Sequence, residues 1–130
     1  MLFYAAISIA QLVAGPLIDR YGRGGFMSWG KLVAASGFGT FFLFPGYWAY
    51  LPLGIASLGL GVFCVASLAE LADIVPDSLK GTVSGAYYLA WGLGYVGGPV
   101  LISRLDTMMT GIGYGVIGLA MLAAGLALRR

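Results

Sequence analysis

Charge is confined to a few short places in this chain, and the stretches between them have the length of membrane-spanning helices. Met1 to Ile18 carries no charge. Asp19, Arg20 and Arg23 follow, and from Gly24 to Ala69 the one charge is Lys31. Glu70, Asp73, Asp77 and Lys80 come next. Gly81 to Ser103 is uncharged, Arg104 and Asp106 mark a short turn, Thr107 to Leu128 is uncharged, and Arg129-Arg130 close the sequence. A helix crosses a bilayer with about 20 mostly apolar residues. The stretch from Gly24 to Ala69 is too long for one such helix and suits two. Its break falls in Phe44-Pro45-Gly46-Tyr47-Trp48-Ala49-Tyr50-Leu51-Pro52, where prolines and a glycine stop helices and the aromatics suit a membrane interface. The expected fold is an all-α membrane protein. Its five transmembrane helices lie near 1–18, 25–44, 50–70, 81–103 and 107–128 in one unit without linkers.

Composition closes off other classes. Of 130 residues, 60% are apolar and 9% charged, against roughly a quarter charged in soluble domains. That argues against a soluble single-domain enzyme, a disordered chain and a nucleic-acid binder. With no histidine and the single Cys64, there is no intrachain disulfide, no Cys/His metal cluster and no His-dependent catalysis. No dinucleotide loop, phosphate-binding loop or zinc-protease motif is present, so no cofactor is expected. The first span lacks a basic start and a small-residue cleavage pattern, which argues against a signal peptide. No carboxylate falls near the middle of a span, so no proton-coupling acid is identified.

Basic residues set the expected orientation. The 19–31 region, the 70–80 loop and the C-terminus share one side and hold Arg20, Arg23, Lys31, Lys80, Arg129 and Arg130, whereas the other side holds Arg104. Lys and Arg accumulate on the cytoplasmic side. The N-terminus is therefore expected outside and the C-terminus inside, in a plasma or inner membrane. An odd number of spans with an external N-terminus suggests part of something larger. Lys31, one or two turns into the second span, is expected to snorkel to the headgroups.

The loop after the first span reads Gly15-Pro16-Leu17-Ile18-Asp19-Arg20-Tyr21-Gly22-Arg23-Gly24. Gly15 suits close helix approach and Gly22 a tight turn. Asp19 suits the positive N-terminal end of a neighbouring helix, and Arg20 and Arg23 suit carboxylate partners. This loop resembles the signature G-x-L-x-D-R-x-G-R-[RK] of the major facilitator superfamily, with Gly15, Leu17, Asp19, Arg20, Gly22 and Arg23 in register and a departure at Gly24. The fourth span adds Gly85, Gly94, Gly98 and Pro99, similar to a glycine-proline motif in the fifth helix of superfamily antiporters. It departs at Ile102 and Ser103, where that motif has two glycines, and related patterns occur in the eleventh helix. Pro76 to Gly85 looks like the entry to this helix, with Asp77 or Ser78 as N-cap.

The resemblance implies a portion of a twelve-helix secondary transporter built from two six-helix halves. Helices eight to twelve fit the order of features, and helices two to six fit the same topology. The absence of an arginine in the third span (Leu53 to Ala69) and the end directly after the last span favour the first placement. The whole protein would move a small solute, by drug or metabolite efflux among other options, through alternating access. Its partners would be the bilayer, the solute, and the remaining half or a second subunit. The rival reading is a small standalone membrane protein with a structural or regulatory role. It would assemble through the GxxxG pairs Gly81/Gly85 and Gly94/Gly98.

Individual residues carry further expectations. Gly81, Gly85, Gly94 and Gly98 give the fourth helix tight neighbours on two sides, and Pro99 bends it near its outer end; the functional reading is gating, the plainer one close packing. Tyr88, Trp91 and Tyr95 share a stripe about 60° wide that suits an organic-substrate pocket or helix packing. Gln11, midway along the first span, needs a polar partner in substrate or a neighbouring helix. Glu70 and Asp73 are placed to form a charge latch with Arg20 and Arg23, of the kind the resemblance implies, or to be solvated helix-end carboxylates. Cys64 reads as a small packing residue.

Overall fold

A computed structural model describes residues 2–108 and 112–127. The described residues form α1 (Leu2–Tyr21), α2 (Arg23–Thr40), α3 (Tyr50–Ile74), α4 (Lys80–Met108) and α5 (Ile112–Ala127), with single 3-10 turns at Phe41–Leu43, Gly46–Ala49 and Asp77–Leu79. No strand occurs among them.

The helix ends follow from local chemistry. Gly22 separates α1 from α2 with φ 94°, a left-handed conformation that glycine adopts without steric cost. Gly46, φ 62°, turns the chain between the two 3-10 segments ahead of α3. Pro52 lies in the first turn of α3, where its missing N–H is not needed. Pro76 holds Val75 extended (φ −94°, ψ 129°), which ends α3 at Ile74. Neither Asp77 nor Ser78 caps α4: no side-chain cap bond forms at this turn, and Asp77 Oδ1 pairs with Lys80 Nζ at 2.6 Å. The helix continues through Arg104 and Asp106, where a turn was expected, so the connection to α5 falls on 109–111, outside the described residues. Arg129 and Arg130 also lie outside them.

Packing is backbone against backbone. α3 packs on α2 and on α1, and α2 packs on α5, giving the row α1–α3–α2–α5. Gly30, Ala34 and Gly37 of α2 meet Ala56, Gly59 and Phe63 of α3. A Cβ added at Gly30 would lie 2.6 Å from the Phe63 nitrogen, and one at Gly37 or Gly59 would strike the facing backbone of Ala56 or Ala34. Gly61 meets Ile7 and Ala10 of α1 in the same way, and Gly118 of α5 meets Gly39 of α2. Ala34, Ala35, Ala56 and Ala66 are fully buried. Buried Ser57 donates to the Leu53 and Gly54 carbonyls, so no polar group is orphaned there. Lys31 is buried rather than extended outward, with its Nζ 5.0 Å from the Phe63 ring centroid.

α4 corrects an expectation. A Cβ added at Gly81, Gly85, Gly94 or Gly98 would meet nothing within 4 Å. The close-packed glycines are instead on α2, α3 and α5. Glycine density alone does not say which helix face meets a neighbour. Pro99 lies within the continuous α4; its side chain is outside the described set.

Candidate functional site

Two constellations stand out, one at the charged end of the bundle and one along α4. At the charged end, Gly22 turns the chain so that Arg23, the first residue of α2, points at the C-terminal turns of α3. Its guanidinium forms an ion pair with Asp73 and donates to the Ala69 carbonyl at 2.7 Å. That carbonyl lies near the C-terminal end of α3, where positive charge is favoured. One arginine therefore ties the α1–α2 turn to the end of α3. The expected four-membered latch is smaller than sequence suggested. Arg20 lies over the Tyr21 ring, 5.6 Å from its centroid, and Glu70 has no ion-pair partner among the described residues. Asp19 is exposed on the last turn of α1. Gly15 and Leu17 lie on α1.

The second constellation is an aromatic wall. Tyr87, Trp91 and Tyr95 recur every fourth residue on α4, so they share a face. Their ring centroids are spaced 6.3 Å (Tyr87–Trp91) and 5.8 Å (Trp91–Tyr95). Tyr4 of α1 extends the row, 6.2 Å from Tyr95. With Ala90 and Gly94, these α4 residues line an open cavity of about 390 Å³ whose walls all come from α4. Gln11 is half-buried and lies two turns from Tyr4, on the same face of α1. Tyr87 also ties this wall to α3. Ser67 Oγ donates to the Cys64 carbonyl at 3.0 Å, which leaves the Tyr87 hydroxyl to donate to Ser67 at 2.8 Å; the Cys64 thiol is 3.7 Å from the same hydroxyl.

Sequence reasoning placed Trp91 and Tyr95 on this wall but chose Tyr88 where the structure uses Tyr87. Tyr88 stands outside the cavity, exposed, with its ring edge-on to Tyr87. The four-residue repeat Tyr87, Trp91, Tyr95 carried the signal. Ser67 and Cys64 had none, because a serine and a cysteine three residues apart on an apolar helix read as packing. Tyr87→Phe removes the hydroxyl bond between α3 and α4 and is expected to cost about 1 kcal/mol, read as a lower unfolding midpoint in detergent; Tyr88→Phe is expected to leave the midpoint unchanged.

The outer surface decides the setting of both sites. Small residues fill the interior, while large apolar ones point outward: Leu12 is 79% exposed, Val96 74%, Leu119 68% and Leu93 67%. A soluble chain buries such side chains and rarely leaves apolar patches of this extent. Among the described residues, the helical segment Gly46–Ile74, of mean hydropathy 2.0, is long and apolar enough to cross a membrane. The other helices are diluted by glycine and polar residues or are shorter. The family model of the Major Facilitator Superfamily matches residues 1–130.

The chain belongs to the major facilitator superfamily.

Major facilitator superfamily members are transporters, and membership makes this chain part of a multi-pass membrane protein. It does not favour the rival reading of a standalone structural protein. No curated protein and no solved structure matches the chain. Within the superfamily frame, the loop from Gly15 to Arg23 sits at the α1–α2 turn, and the aromatic wall lies away from it along α4.

Proposed function

We propose that this chain supplies part of a secondary transporter that carries a small solute by alternating access, with the aromatic wall of α4 as part of the solute site. The Arg23–Asp73 ion pair acts as a latch at the cytoplasmic end. The observation that carries the reading is the combination, in one superfamily member, of an ion pair at the charged end and an aromatic cavity away from it along α4. All five helices span the membrane in this reading, with the N-terminus outside and the C-terminus inside a plasma or inner membrane. The open glycine face of α4 is where the remaining helices of the transporter approach, since glycines allow such approach in lipid. The placement as helices eight to twelve belongs to the same proposal.

Two experiments test it. A reporter fused after Arg130 is expected to read cytoplasmic and one inserted near Gly46 external; the reverse pattern overturns the orientation. In the full-length protein, Asp19→Asn is expected to lower solute exchange while leaving membrane insertion intact, and unchanged exchange kinetics would sink the loop's assigned role.

A further inference from the structure

Resting on the reading that α3 spans the bilayer, we infer that the α2–α3 connection is a lipid-binding foot, seated at the glycerol-ester level of the leaflet opposite the charged end. Its partner is an ester phospholipid whose oxygens accept hydrogen bonds from Tyr47, Trp48 and Tyr50. The depth follows from counting along the helices. No charge lies between Lys31 and Glu70. A helical rise of about 1.5 Å per residue carries the chain about 30 Å from Glu70 back to Tyr50, which matches the thickness of the hydrocarbon core. α2 starts at Arg23, on the same charged end, and its 18 residues reach nearly as far. Both helices therefore deliver the connection to the same boundary. There the chain makes two short 3-10 turns, Phe41–Leu43 and Gly46–Ala49, with an extended Pro45 and a left-handed Gly46 between them. It turns back within the boundary instead of reaching out into water.

The chemistry of the turns selects the partner. Six of the ten residues from 41 to 50 are aromatic and none is charged. Tyr47 is 90% exposed and Trp48 70%, and Phe42, Leu43 and Tyr50 are exposed beside them. Water would meet a broad apolar surface here, which is unfavourable. Hydrocarbon alone would strand the polar tips. Among the described residues, the Tyr47 and Tyr50 hydroxyls and the Trp48 Nε1–H have no hydrogen-bond partner. A ring body among acyl chains with its donor at the ester oxygens satisfies both halves, which is why Trp and Tyr collect at that level. The foot is also continuous with the span, since the segment long and apolar enough to cross a membrane begins at Gly46. With no Lys or Arg in the turns, the contact does not depend on headgroup charge, unlike that of a polybasic segment.

The test uses the full-length transporter in phosphatidylcholine proteoliposomes. The lipid carries bromine on its acyl chains either near the glycerol or near the chain end, and iodide is the quencher in the water on both sides. The Trp48 signal is the tryptophan emission lost in Trp48→Phe. Its loss is expected to be largest with bromine near the glycerol, smaller with bromine at the chain end and slight with iodide. Should Trp48→Phe fail to fold, Tyr47→Trp gives the same reading as emission gained over wild type, at a site exposed enough to take the larger ring. Replacing part of the phosphatidylcholine by anionic phosphatidylglycerol is expected to leave the quenching unchanged. Quenching by iodide without quenching by bromolipid overturns the inference in favour of a solvated loop. Quenching by neither overturns it in favour of a protein cover. Strongest quenching by chain-end bromine overturns the assigned level, and quenching that grows with phosphatidylglycerol overturns the uncharged contact. Reporters near Gly46 and after Arg130 separate this inference from the reading it rests on. Found on the same side of the membrane, they overturn the spanning reading. Found on opposite sides, with Trp48 untouched by bromolipid, they leave that reading standing and overturn the foot alone.

Discussion

Arg23→Ala is expected to raise the labelling of Cys64 by a membrane-impermeant thiol reagent applied from the cytoplasmic side, and to reduce solute exchange by about tenfold or more. Arg23 joins the α1–α2 turn to α3 through two charge-assisted contacts, the Asp73 carboxylate and the Ala69 carbonyl. Hydrogen bonds to charged groups contribute roughly 1.5–3 kcal/mol. Asp73 is well exposed, with 62% of its side chain accessible, so solvent screening holds the ion-pair share to the low end. A loss of about 1.4 kcal/mol moves a two-state equilibrium tenfold toward the cytoplasm-open state. Asp73→Asn removes one of the two contacts and is expected to give the same change with smaller size. The exchanged pair Arg23→Asp with Asp73→Arg is expected to recover part of the ion pair but not the bond to Ala69. Cys64 labelling and exchange that remain unchanged in Arg23→Ala would show that the contact is structural decoration on the loop.

Gly59→Ala is expected to destabilise the fold by about 3 kcal/mol, at the upper end for overpacking, and to lower the yield of folded protein from membranes. The methyl group would enter the backbone of Ala34, and a backbone, unlike a side chain, has no rotamer through which to give way. Gly54→Ala provides the internal comparison. It is the same substitution in the same helix, but its Cβ meets nothing within 4 Å. There the gain of helix propensity, up to about 1 kcal/mol, is expected to dominate and raise the unfolding midpoint in detergent. Equal midpoints for the two variants would contradict the close α2–α3 approach.

The helices were legible because charge placement and the Pro/Gly breaks are local signals. The Phe44–Pro52 break and the glycine turn at Gly22 fall where sequence put them, and the ends that shifted are those set by continuation rather than by a breaker. α4 runs on through Arg104 because nothing in that segment stops a helix. Which helices touch was not legible. Gly59 and Gly94 look alike in sequence, yet one lies against Ala34 and the other faces open space, since that distinction belongs to the partner. The charged end was half legible for the same reason. Arg20 and Arg23 are equivalent by composition, and only the turn at Gly22 decides that Arg23 reaches Asp73. Tyr87 was missed in favour of its neighbour, because a shift of one residue on a helix rotates a side chain by about 100°.

The seam between α2 and α3 has a mechanical consequence. Where main chain rests on main chain, sliding meets a rigid obstacle at every step, so the two helices behave as a single stiff beam. Among the described residues, α4 reaches α3 through a hydroxyl bond and α1 through a ring contact, attachments that can break and re-form at a different height. Compliance is thus concentrated in one helix of this chain, and it is the helix that carries the aromatic wall.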